Sequence, residues 1–344
     1  MQVSSPMTVP LPWSLEIDLQ YDLREIAYQR LLREGYTDAT RKDAVYQFYN
    51  ITRRRITQRP RAVHYSKEFV CPADYLSALK EFEEKVTAGR DLTPFMSDKI
   101  KLSGYDDLML SDWGIRHFHL SRRYRKDGTV ARSDYQIFAY VTDDAFYMIQ
   151  IYSHKTPDLY SRQEMVRILR DNWPELLEPY HVKGVTGLSE KMDDHAYGEI
   201  RNQHMLTFVD LGPDQIYGMI GGGYMSNGFS TQALRSSDFW LMRCSSIQKI
   251  IYEDAAVVAS LIASMTSIPR EKVIMHFRML WLDENETTLL EYNTRLILQV
   301  NIKEGFFRVC YPHEVFGYEP LGESWKDTRI TREWIHKKFG MHIF

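Results

Sequence analysis

Apolar positions recur every three or four residues along the first part of the chain, then every second residue, then every three or four again. Leu19, Leu23, Ile26, Ala27 and Leu31 share one face of a helix that Gly35 should stop, and Ala44, Phe48 and Tyr49 repeat the spacing towards Asn50. Pro72 suits a first helical turn, where its missing N–H needs no partner, so a third amphipathic helix is expected through Tyr75, Leu76, Leu79 and Phe82 to Val86, ending before Gly89. From Trp113 the period falls to two. Ile115 to Ser121, Tyr135 to Val141 and Phe146 to Tyr152 are short segments rich in β-branched and aromatic residues, and only Thr142 to Ala145 separates the last two. With Asp127-Gly128 as a turn pair before the second segment, they predict an antiparallel meander. A helix from about Arg162 to Asn172 should end at Trp173-Pro174, because the residue before a proline is pushed out of α geometry.

Beyond Pro179 the pattern restarts. Leu206 to Val209 and Gln215 to Ile220 read as strands around Gly212-Pro213, and Gly221-Gly222-Gly223 as a hairpin loop that matches neither phosphate-binding glycine fingerprint. From about Thr231 a long helix carries Leu241, Cys244, Ile247, Ile251, Ala255, Val258 and Ile262 on one face. Val273 to Leu282 and Thr294 to Ile302 should be strands flanking an acidic connection of Asp283, Glu284 and Glu286. The chain thus reads as α+β: a helical leader over 1–100, a meander unit over 101–180, and a second α+β domain over 181–344 with one long amphipathic helix.

Composition narrows the partners. At 44% apolar residues the chain can bury sizeable cores, and 43 basic against 46 acidic side chains give a net charge of −3, so any contact with a polyanion must be local. No apolar stretch approaches the roughly 20 residues of a bilayer span, and Met1 to Pro12 has neither the basic flank nor the apolar core of a secretory signal. Cys71, Cys244 and Cys310 form no C-x-x-C pair, which suits a reducing compartment. A cytoplasmic protein without a membrane partner is expected.

One window carries chemistry: Asp112-Trp113-Gly114-Ile115-Arg116-His117-Phe118-His119-Leu120-Ser121. On a strand, His117, His119 and Ser121 share one face and Phe118 and Leu120 the other. In a meander the first and third strands run the same way. The end of the first near His119, the start of the second near Arg132 and Ser133, and His154 at the end of the third should therefore meet at one edge. Outer strands lie about 10 Å apart, room for a phosphodiester between facing imidazoles. Cleaving RNA without a metal needs a base for the 2′-hydroxyl proton, an acid for the leaving 5′-oxygen and a cation for the charge developing at phosphorus. Histidine titrates near neutral pH and arginine offers a fixed fork, so His119 and His154 are the expected acid–base pair and Arg132 the phosphate clamp. His117, as a substrate contact or a structural partner, and Ser133 would complete the site, Arg116, Arg122, Arg123, Arg125 and Lys126 would track phosphates, and Tyr124 and Tyr135 would stack bases. This chemistry calls for no cofactor.

A helical leader followed by strands bearing His, Arg and His resembles the organisation of barnase-, EndoU-, colicin- and RelE-like ribonucleases, many of them bacterial toxins, over residues 72–180 at most. The resemblance implies RNA cleavage by positioned basic residues. His119-Leu120-Ser121 and His154-Lys155-Thr156 also look like the paired H-x-S/T elements of two-histidine phosphoesterases, although they lie only 35 positions apart and Arg122 and Pro157 stand where that family has hydrophobic residues. Two other readings compete: a zinc-dependent hydrolase using His117, His119 and His154, and a non-enzymatic protein that assembles into oligomers through its C-terminal domain. Ile51 to Arg61 holds five arginines and no acid, and Asp283 to Glu291 four acids and no base, so the acids could neutralise the basic half unless a separate partner does.

Overall fold

The computed structural model describes residues 14–316; Met1 to Pro12 and the last part of the expected 181–344 domain lie outside them. The α-helices are α1 (Leu19–Arg33), α2 (Ala44–Arg54), α3 (Leu76–Thr87), α4 (Leu108–Trp113), α5 (Glu164–Asn172), α6 (Pro174–Leu177), α7 (Asp194–Asn202), α8 (Thr231–Glu253), α9 (Ala255–Met265) and α10 (Pro312–Phe316). The strands are β1 (Ser14–Glu16), β2 (Ala62–Tyr65), β3 (Ile115–His119), β4 (Tyr135–Val141), β5 (Ala145–Ser153), β6 (Val209–Asp210), β7 (Ile216–Tyr217), β8 (Ile274–Leu282), β9 (Glu286–Glu291), β10 (Ile297–Asn301) and β11 (Phe306–Cys310). The fold is α+β.

Two compact units form, and neither matches the expected divisions: residues 1–27 with 238–344, and residues 28–237. The boundaries expected after residues 100 and 180 both fall inside the second unit. The Arg54 guanidinium donates to the Lys99 and Leu102 carbonyls across the first, and Arg201 pairs with Asp112 at 2.8 Å across the second.

In the second unit, β3, β4 and β5 form the expected antiparallel meander, and β2 joins its far edge parallel to β5, giving the order β2-β5-β4-β3. Both faces are covered. Ala78, Leu79, Phe82 and Val86 of α3 pack on Phe118, Ile137, Phe146 and Met148, while Met165, Val166 and Leu169 of α5 pack on Ile115, Phe138 and Ile149. Burial on two faces is why Ile137 to Val141 of β4 reads as an unbroken apolar run rather than an alternating one.

The first unit holds a five-stranded sheet of order β1-β8-β9-β10-β11, with β1 parallel to β8. The acidic connection is shorter than expected, because Asp283 Oδ1 accepts the N–H groups of Asn285 and Glu286 at 2.7 Å each and closes a tight turn into β9. Glu291, buried at the end of β9, accepts N–H bonds from His276, Asn293 and Thr294. These acids serve the local backbone. The long helix is two helices, broken at Asp254, with Ile251, Ala255, Val258 and Ile262 buried on both sides of the break.

The arginine window is equally committed. Arg54 is 2% exposed, and Arg61, also buried, donates to the carbonyls of Thr142 and Thr57. Arg53 donates to the carbonyls of Leu110 and Gly221, Arg55 pairs with Glu34 at 2.7 Å, and Arg59 meets Asp144 at 2.9 Å. Arg116 reaches the carbonyls of Arg53 and Arg54 at 2.6 Å each, capping the C-terminal end of α2. A guanidinium carries five donors and stays charged, so its burial is tolerable only where acceptors converge on it. Arg54→Ala should therefore cost about 3 kcal/mol in urea unfolding through the orphaned carbonyls. Arg59→Ala, whose ion pairs lie in solvent, should cost less than about 1 kcal/mol.

Candidate active site

The site begins at α4. Asp107 accepts the Leu110 N–H at 3.0 Å as N-cap, and Gly114, at φ 70°, ends the helix in the left-handed conformation that glycine adopts without strain. The Gly221-Gly222-Gly223 loop lies against this end. Gly221 and Gly223 donate to the Asp112 and Ser111 carbonyls at 2.7 Å each, and a Cβ on Gly221 would sit 2.1 Å from the Leu110 oxygen. Asp112, buried, takes Arg201 at 2.9 Å and the Tyr197 hydroxyl at 3.0 Å. Strand β3 leaves this anchored helix directly, which fixes the placement of His117 and His119.

The meander brings His119 and His154 together. Their rings stack with centroids 5.5 Å apart and planes inclined by 27°, and the His117 ring lies 6.4 Å from that of His119. The expected gap between facing imidazoles is absent. The parent strands are two spacings apart, but the two side chains close over β4, so a phosphodiester can reach only their edges. His119 is 8% exposed whereas His154 stands in solvent. Burial pulls His119 down to about 4, helped by the charges of His117, His154 and Arg132, and burial also lowers His117 despite the opposing field of Asp107. Both rings are neutral at pH 7, and the Nδ1 atoms of both are buried without a hydrogen-bond partner among the described residues.

The other expected contacts divide. Arg132 is 75% exposed, 3.5 Å from Asp98, and its charge acts on His119. Ser133 does not face substrate: its Oγ accepts the Leu120 N–H and donates to the Tyr135 carbonyl. Arg116 is held under α2, and burial draws it down to about 10 without discharging it at neutral pH. The cationic cluster is acid-free in sequence but not in space. Arg122 lies 3.8 Å from Glu81, Arg125 pairs with Asp98, and Tyr124 donates to Glu81 at 2.8 Å. The Arg123 side chain is exposed, its main chain tied into the same turn. Tyr124 and Tyr135 are not free base platforms, since their rings pack against Phe95 and Tyr75. Among the described residues no group of three His, Cys, Asp or Glu side chains could hold a metal ion, so the three-histidine zinc reading lacks its ligand geometry.

A cavity of about 530 Å³ that sequence reasoning missed opens beside His117, walled by Tyr105, Asp107, Tyr160 and Ser161. At its rim His195 Nδ1 sits 3.1 Å from Asp158 and Nε2 3.6 Å from Glu199. Asp158 holds a left-handed φ of 50°. Only Asp107 carried a readable signal, an acid placed just before the apolar run Leu108-Met109-Leu110 as an N-cap. No known protein family matches the chain, and no curated protein or solved structure is detectably similar to it.

The depressed His119 proton affinity has a thermodynamic consequence. The unfolded chain takes up the proton near pH 6.5 and the folded one only near 4, so stability is complete above about pH 6.5 and falls as pH drops through that window, by on the order of 3 kcal/mol. Urea unfolding as a function of pH should show this slope, and His119→Asn should flatten it.

Proposed function

We propose that the chain is a metal-independent, toxin-type endoribonuclease working in the cytoplasm on RNA. One observation carries this reading: two imidazoles stacked at 5.5 Å on one edge of the meander, one buried and neutral, the other in solvent. His119 accepts the 2′-hydroxyl proton while the 2′-oxygen bonds to phosphorus. The P–O5′ bond breaks, and His154 in its protonated form donates to the leaving oxygen, giving a 2′,3′-cyclic phosphate and a 5′-hydroxyl. Arg132, at the solvent edge, takes the charge growing on the phosphate oxygens. The three cysteines are unpaired, in keeping with a reducing compartment, and no helix among the described residues is long and apolar enough to cross a membrane.

A second reading, a protein that assembles without cutting RNA, draws on Phe239, Met242, Tyr252 and Val257, four large apolar side chains of α8 and α9 that stand in solvent. The two readings separate in one assay. Purified protein in excess EDTA should cut single-stranded RNA, and His154→Ala should lower kcat by roughly 10² to 10⁴ with an unchanged melting temperature, because its ring stabilises no core. Absence of cleavage, or full turnover in His154→Ala, removes the nuclease reading. A concentration-dependent oligomer that leaves RNA intact establishes the second.

A further inference from the structure

We propose that the cavity beside His117 receives the base of the nucleotide at the scissile phosphate and favours bases with an exocyclic amino group over uracil. The proposal rests on the RNA-cleavage reading and gives it a specificity. His117 links the two places: its ring lies 6.4 Å from His119 and also lines the cavity, so a phosphate at the histidine edges puts its own base within reach of that space. About 530 Å³ lies in the usual range for a small-ligand pocket.

The walls suit a flat, polar-edged ring. Met109 and Leu159 are buried and give apolar surface, and Tyr160 is 42% exposed. Tyr160 is held in place by its hydroxyl bond to Gln136 at 3.0 Å and by edge contact with His117 at 5.3 Å, so its ring is a fixed surface on which a base can stack. This is the platform that Tyr124 and Tyr135 do not provide.

Recognition comes from Asp107 and His117. Asp107 Oδ1 holds the Leu110 N–H, while Oδ2 has no hydrogen-bond partner among the described residues. A carboxylate oxygen placed opposite C4 of the ring accepts from the amino group of cytosine and repels the carbonyl oxygen of uracil, whereas opposite N3 the preference would reverse, because uracil donates there and cytosine accepts. His117 adds a second polar contact, because its buried Nδ1 has no hydrogen-bond partner among the described residues. The remaining charges at the cavity are engaged: Asp106 with the Tyr46 hydroxyl and the Asn50 amide, Asp158 and Glu199 with His195, Arg201 with Asp112 and the Tyr160 carbonyl, and Lys99 over the Tyr105 ring.

The test is calorimetric titration of the full chain with cytidine 3′-monophosphate and uridine 3′-monophosphate, which share a shape and differ only in the hydrogen-bonding pattern at C4 and N3. The wild type should bind the cytidine nucleotide roughly tenfold or more tightly. Asp107→Asn keeps an oxygen to cap α4 and should lose the preference, while Tyr160→Ala should weaken both nucleotides roughly tenfold. Equal wild-type affinities, or an Asp107→Asn protein with the preference intact, overturn the proposal. RNA cleavage accompanied by equal affinities would overturn the cavity assignment and leave the nuclease standing. A preference abolished by Asp107→Asn in a protein that cuts no RNA would uphold the cavity as a base site and remove the nuclease.

Discussion

The larger unit depends on buried and half-buried guanidinium groups satisfied by main-chain carbonyls. Arg53, Arg54, Arg61 and Arg116 each reach carbonyls distant in sequence, and the acceptors are ends of helices and turns that would otherwise be left without donors. Arg53 joins the end of α4 to the glycine loop, and Arg116 joins β3 to the end of α2. Strand β3, which delivers His117 and His119, and the helix α4 from which it leaves are therefore tied to their neighbours through charges that cannot be neutralised. Loss of one arginine leaves carbonyls exposed to a dry interior, whereas loss of a surface ion pair leaves only solvated groups.

The same constraint explains what the amino-acid pattern conveyed and what it did not. Periodicity located α1, α2 and α3, the three meander strands and the length of the α8–α9 segment, because those elements bury one or two continuous apolar faces. It missed β1, β2, β9 and β11, whose short runs mix charged or polar residues with apolar ones and owe their form to partner strands. Five arginines without a neighbouring acid gave no sign of the carbonyls and acids that hold them, since charge in sequence does not tell whether a side chain faces water or a carbonyl. At the site, the convergence of His119 and His154 followed from topology. The closeness of their rings did not, and neither did the acids Glu81 and Asp98, which come from segments far from the cations they meet.

Burial and exposure divide the two histidines chemically. A ring covered by protein and held neutral can accept a proton but is a poor store of one, and a ring in solvent can exchange protons freely with water. In the proposed reaction the buried ring serves as the base and the exposed ring as the acid, with substrate entering from the solvent edge.

The smaller unit draws on both ends of the described chain: β1 pairs in parallel with β8, and Asp22 accepts the Met279 N–H at 2.8 Å. On a ribosome this order matters. All of residues 28–237 emerges before β8 is synthesised, so the larger unit can complete its core while β1 and the start of α1 wait unpaired. A nascent chain halted before β8 would thus carry a finished histidine edge beside an unfinished sheet, so the maturation of one unit is separated in time from that of the other.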